Sequence, residues 1–118
     1  MSRDIQLKER WEQLVNILSN QFSKGEDLDL DAIIYLIGVQ ELGKVHQSFK
    51  KEEKLNLMHI AICKVLSFSG IYELEGTDQD GWPHWKLVQP LPFVNLLEQE
   101  KLLKAHVIEY FEKEVFNS

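Results

Sequence analysis

The sequence predicts a mainly α-helical fold with one β-hairpin, in the order α-α-α-β-β-α. Three observations carry that reading. Apolar residues recur at helical spacing in four segments, about 3–22, 30–42, 49–68 and 94–116. Residues 71–88, IYELEGTDQDGWPHWKLV, alternate instead, and break at Gly76 and Asp80-Gly81 with the chemistry of a hairpin turn. At 118 residues, 44% hydrophobic and 27% charged, the chain has the length and composition of one ordinary globular domain covering 1–118.

The first helix places Leu7, Trp11, Leu14, Val15, Leu18 and Phe22 on one face, with Arg3, Lys8, Glu9, Glu12 and Gln13 elsewhere. Ser2 is its expected N-cap, and Asp4 suits the positive end of the helix dipole. Ser23-Lys24-Gly25 is the expected stop. The second helix, LDAIIYLIGVQEL, is apolar nearly all round and is expected at the centre of the domain. Asp29 or Asp31 is placed to cap it. Gly38 costs about 1 kcal/mol inside a helix, which points to close approach of a neighbouring helix. Gly43 is the expected C-terminal stop.

Residues 44–49 read as a short link, with Ser48 the expected cap of the third helix. Leu55, Leu57, Met58, Ala61, Ile62, Val65, Leu66 and Phe68 then cover about half the helix circumference. Ser69-Gly70 ends it, with Gly70 in the left-handed conformation. If 76–81 is the hairpin loop, Tyr72 lies opposite Trp85, Glu73 opposite His84 and Glu75 opposite Trp82. Alternation then puts Tyr72, Leu74, Trp85 and Leu87 on an apolar face. Glu73, Glu75, Trp82, His84 and Lys86 share a charged one, where Glu73 would favour a protonated His84. Pro83 cannot donate to a ladder and belongs on an edge strand.

Gln89-Pro90-Leu91-Pro92 is a stiff extended link. In the last helix Asn95 and Glu98 have the spacing of a capping box. Leu96, Leu97, Leu103, Val107, Ile108, Tyr110, Phe111 and Val115 form a broad apolar stripe. Leu102 and Phe116 fall off that stripe and call for a second apolar contact.

Charge narrows the possible partners. The net charge is −6 and the pI about 5.2, which disfavours nucleic acid and anionic membrane surfaces. Lys44, Lys50, Lys51 and Lys54 gather in one segment, but Glu52 and Glu53 interrupt them, as on a solvated helix start. The N-terminal MSRDIQLKERW has no apolar signal core, and the apolar segment 30–39 is too short to span a bilayer. Cys63 is the only cysteine, so no internal disulfide forms, as suits a cytoplasmic protein.

Chemistry is thinly represented. There is no phosphate loop, nucleophile elbow or HExxH. His59 and Cys63, four apart on the third helix, are side-chain neighbours. A zinc site would need two more ligands from His46, His84, His106, Glu41 or Glu52. A nucleophilic Cys63 activated by His59 lacks a third, orienting group. Asp78-Gln79-Asp80-Gly81 has the start of a calcium loop but not its third acidic position or distal glutamate, and reads as an acidic turn. No metal and no cofactor are expected. Glu41, near the end of the apolar second helix, forms with His59 the pair to inspect for a hidden polar pocket. Trp82, Pro83, His84 and Trp85 put two of the three tryptophans in four residues, a density suited to a packing wedge or a contact surface.

The element order resembles that of a winged-helix domain with an added C-terminal helix, over about residues 10–115. The resemblance is one of topology. It implies a third helix entering the DNA major groove and a hairpin acting as the wing. Here the third helix is strongly apolar, and the hairpin tip from Thr77 to Asp80 is acidic where a wing is usually basic.

The expected function is therefore a non-enzymatic cytoplasmic protein-interaction domain, self-associating as a homodimer. Its expected surface comprises Trp82, His84, Glu73, Leu102 and Phe116. The rival is a small metal-binding or hydrolytic enzyme with a pocket between the hairpin and the third helix, using His59, Cys63, His84 and Glu41. A winged-helix regulator is the third reading.

Overall fold

The computed structural model describes residues 2–23, 26–43 and 48–116. Among the described residues the elements follow in chain order as α1 (Arg3–Phe22), α2 (Leu30–Leu42), α3 (Lys51–Ser67), a hairpin of β1 (Tyr72–Thr77) and β2 (Pro83–Leu87), and α4 (Leu96–Tyr110). The expected order α-α-α-β-β-α is the observed one. Lys24-Gly25 in the first stop, and Lys44 and His46 in the link, lie outside the described residues.

The chain divides into two units, 1–30 with 93–118, and 31–92. In the first, α1 and α4 run side by side. Asp4 pairs with Lys101 at 3.1 Å and Arg10 pairs with Glu112, so the two helices point the same way. These exposed ion pairs set direction more than stability. Ser2 caps α1 by accepting from the Ile5 N–H at 3.2 Å. Trp11, Leu14 and Leu18 are buried, whereas Phe22 is exposed. Buried Ser19 accepts the Leu28 N–H through its hydroxyl at 3.0 Å, tying the following segment to the helix.

Asn95 accepts from the Glu98 N–H at 2.9 Å, and the Glu98 carboxylate accepts from the Val94 N–H at 2.9 Å. That reciprocal cap starts α4 at Leu96 rather than at 94. The helix does not stay α to 116. After Tyr110 it widens into a π-helical turn, Phe111–Val115, and the Phe116 N–H reaches back to the Phe111 carbonyl at 2.8 Å. The wider turn changes the angular phase, so Phe116 comes within 5.8 Å of the Phe111 ring.

In the second unit α2 begins directly after Asp29, with Asp31 in its first turn, and buries Ile33, Ile34, Ile37 and Leu42. Leu36 is half-buried. Gly38 is where α3 comes closest: a Cβ there would stand 2.2 Å from the Leu57 carbonyl oxygen. Gly43 ends α2 at φ 78°, a conformation glycine adopts without penalty. α3 starts two residues later than expected. Its cap is at Lys50, whose backbone N–H donates to the Glu53 carboxylate at 2.9 Å, and not at Ser48. α3 buries Leu57, Ile60, Ala61, Cys63, Val65 and Leu66.

The hairpin register corrects the sequence reading. Tyr72 faces Leu87, Glu73 faces Lys86, Leu74 faces Trp85, Gly76 faces His84 and Thr77 faces Pro83. The turn is therefore shorter than the expected 76–81 loop, and a bulge at Glu75 absorbs the extra residue. A shift of two residues preserves the faces before the bulge, so Tyr72, Leu74, Trp85 and Leu87 still share one. Tyr72 and Trp85 are half-buried there, while Leu74 and Leu87 remain exposed.

Candidate functional site

The site begins with the turn. The Asp78 N–H donates to the Trp82 carbonyl at 2.9 Å, and the Gly81 N–H to the Asp78 carbonyl at 3.1 Å. The Asp78 carboxylate then accepts from the Asp80 and Trp82 N–H groups at 2.9 and 3.0 Å. An aspartate at a turn mimics a further backbone turn in this way. Its second oxygen lies 2.9 Å from His84 Nε2. The His84 imidazole and these N–H groups hold the Asp78 carboxyl below its ordinary value. Gly81, at φ 88°, closes the loop.

That turn holds Trp82 half-buried at the mouth of a cleft shared with α3. The cleft has a volume of about 450 Å³, within the range of sites that accept a small ligand or a side chain. The hairpin contributes Asp78, Trp82, Pro83, His84 and Trp85. α3 contributes Glu52, Glu53, Asn56, His59 and Ile60, which project together because 52, 56, 59 and 60 follow the helical repeat. Among the described residues no lysine or arginine lines the cleft. The Trp85 indole nitrogen is buried and makes no hydrogen bond with the described residues.

His59 joins this cleft to the core. Its ring meets the Tyr72 ring edge-on at 6.3 Å, and its Nε2 lies 3.5 Å from the Cys63 sulfur. Cys63 is fully buried and does not line the cleft. Burial pushes its thiol up to about 11. At neutral pH only about one part in ten thousand is then thiolate, the form that attacks electrophiles and binds metals. Burial also raises the Tyr72 hydroxyl, with the Cys63 charge adding to it.

The residues singled out from sequence separate accordingly. His59, Trp82 and His84 come together in the cleft. Glu41 does not: it is half-buried beside Lys64, 3.9 Å away. Glu73 is exposed and faces Lys86, so the expected Glu73–His84 pairing is replaced by Asp78–His84. Leu102 is half-buried on α4, and Phe116 is 45% exposed near Phe111. No cluster of three histidine, cysteine, aspartate or glutamate side chains fit to hold a metal occurs among the described residues. The sequence reading missed Asn56, Ile60 and the organising role of Asp78. The helical repeat that joins 52, 56 and 59 was the available signal for the α3 wall.

Comparison with protein-family models, with curated proteins and with solved structures finds no match.

Proposed function

We propose that this chain is a non-enzymatic, cytoplasmic protein-interaction domain that receives a partner segment in the cleft between α3 and the hairpin. One observation carries the reading: Trp82 and Trp85 line a solvent-open cleft whose turn is held by the Asp78 hydrogen bonds. Tryptophan is the side chain most enriched where partners bind tightly, because it offers a large rigid area at small entropic cost. The chemistry beside it supports binding over hydrolysis. The one thiol nearby is buried and holds its proton, with its pKa pushed up to about 11, and Glu41 lies beside Lys64.

The test is co-purification of the native protein in three forms: wild type, Trp82→Ala and Leu97→Glu. A partner kept by wild type and Leu97→Glu but lost by Trp82→Ala supports the reading. A partner retained equally by Trp82→Ala would overturn it.

A second observation favours self-association, on a different surface from the one expected. Val94, Leu96 and Leu97 at the start of α4 are 88, 82 and 60% exposed. Three large apolar side chains this exposed within four residues are uncommon on a monomer, and a two-fold dimer would bury them against its own copy. Sedimentation at micromolar concentration should give a dimer for wild type and a monomer for Leu97→Glu. A wild-type chain that stays at 13.8 kDa throughout would remove this reading.

A further inference from the structure

The cleft also has a chemical preference, and we infer that it accepts a lysine or arginine side chain carried on a basic segment of a partner protein. This rests on the interaction-cleft reading and narrows it to one chemistry. Three carboxylates, Glu52, Glu53 and Asp78, reach the lining, and among the described residues no lysine or arginine does. The contrast is local, because Lys50, Lys51 and Lys54 lie in the same stretch of chain as Glu52 and Glu53 yet stay outside the cleft. The remaining walls are largely aromatic, with Trp82 and Trp85 beside the imidazoles of His59 and His84.

Aromatic faces attract cations through their quadrupole, and tryptophan does so best. An apolar occupant would strip water from the carboxylates without replacing its hydrogen bonds. An anion would meet three carboxylates and, among the described residues, no lysine or arginine to offset them. A long basic side chain answers both surfaces, since its methylene stem packs on the rings while its charged head reaches the carboxylates. The buried Trp85 indole N–H, without a partner among the described residues, is a donor suited to a backbone carbonyl. A peptide brings such a carbonyl and a free amine does not. The net charge of −6 draws a basic segment toward the chain from a distance.

The probes are three blocked peptides, acetyl-Gly-Lys-Gly-Lys-Gly-amide and its arginine and glutamate counterparts, together with spermidine. Binding is followed by tryptophan fluorescence and calorimetry. The lysine or arginine peptide should bind wild type with an affinity that falls as salt rises. Binding should weaken about tenfold in Trp82→Ala and recover in Trp82→Phe, which restores a ring. Glu52→Gln/Glu53→Gln should weaken it as well, and the amide oxygen it leaves at position 53 can still accept the Lys50 N–H that caps α3. Equal binding of the glutamate peptide, or spermidine binding as tight as the lysine peptide, would overturn the inference. So would a co-purified partner lost with Trp82→Ala but kept by Glu52→Gln/Glu53→Gln, a result that leaves the interaction cleft standing without its preference for cations.

Discussion

The backbones of Gly38 and Leu57 touch so closely that no side chain fits between them. A Cβ on Gly38 would lie 2.2 Å from the Leu57 carbonyl oxygen and 2.7 Å from its carbonyl carbon. Both are backbone atoms, which cannot swing aside as a flexible side chain would. Gly38→Ala should therefore destabilise the protein by about 3 kcal/mol, at the upper end of overpacking costs. In an ordinary helix interior the same change gains about 1 kcal/mol, so the sign alone is diagnostic. Chemical denaturation measures it, and a variant as stable as wild type would show that α2 and α3 are not in this contact.

The α2 core gives a graded expectation. Ile34 is 3% exposed, while its neighbour Leu36 is only half-buried. Ile34→Ala should cost about 2–5 kcal/mol, and Leu36→Ala clearly less. Equal costs at the two positions would mean that the buried face has been misassigned.

Cys63 makes alkaline stability informative. Its thiol is raised from 9.0 to about 11 by burial, so the folded state holds the proton more tightly than the unfolded chain does. That contribution is full below pH 9 and is lost as pH rises toward 11. Stability should fall across that window, and the fall should be shallower in Cys63→Ala. Alkylation of the native thiol under mildly alkaline conditions should be slow and should quicken on denaturation. Fast alkylation of the folded protein would contradict the burial.

Asp78 tests the turn from the acid side. Its carboxyl lies below the ordinary value because His84 and the Trp82 and Asp80 N–H groups bond to the ionised form. A depressed value stabilises the fold above the usual carboxylate range, and the stabilisation is lost as pH falls through the folded-state value. Amide exchange at Trp82, whose N–H donates to Asp78, should lose its protection on that acid side, measured against the unstructured-peptide rate at the same pH. Asp78→Ala should remove that protection at every pH. An unchanged Trp82 amide in that variant would show that the turn is held by something else.

Helix positions were legible from periodicity because burying one face depends on the 3.6-residue repeat, and Gly38 was legible because its cost within α2 required a close contact. The hairpin register was not. Gly76 and Asp80-Gly81 offer competing turns, and the bulge at Glu75 goes with Asp78 bonds across the loop, which have no periodic signature. The π-helical turn at Phe111–Val115 is equally silent, because its residues also fit an α-helix. For the site, the sequence brought out His59, Trp82 and His84 as conspicuous residue types. It could not show that Cys63 points into the core or that Glu41 is taken up by Lys64, because both depend on which neighbours tertiary packing supplies.

Partner binding in the cleft between α3 and the hairpin is tested most directly by hydrogen–deuterium exchange of the protein, alone and with its co-purified partner. Exchange should slow at residues 52–60 and 78–85, the two walls of the cleft, and stay unchanged at 94–97. Protection confined to 94–97, with both walls exchanging as in the free protein, would contradict binding in the cleft.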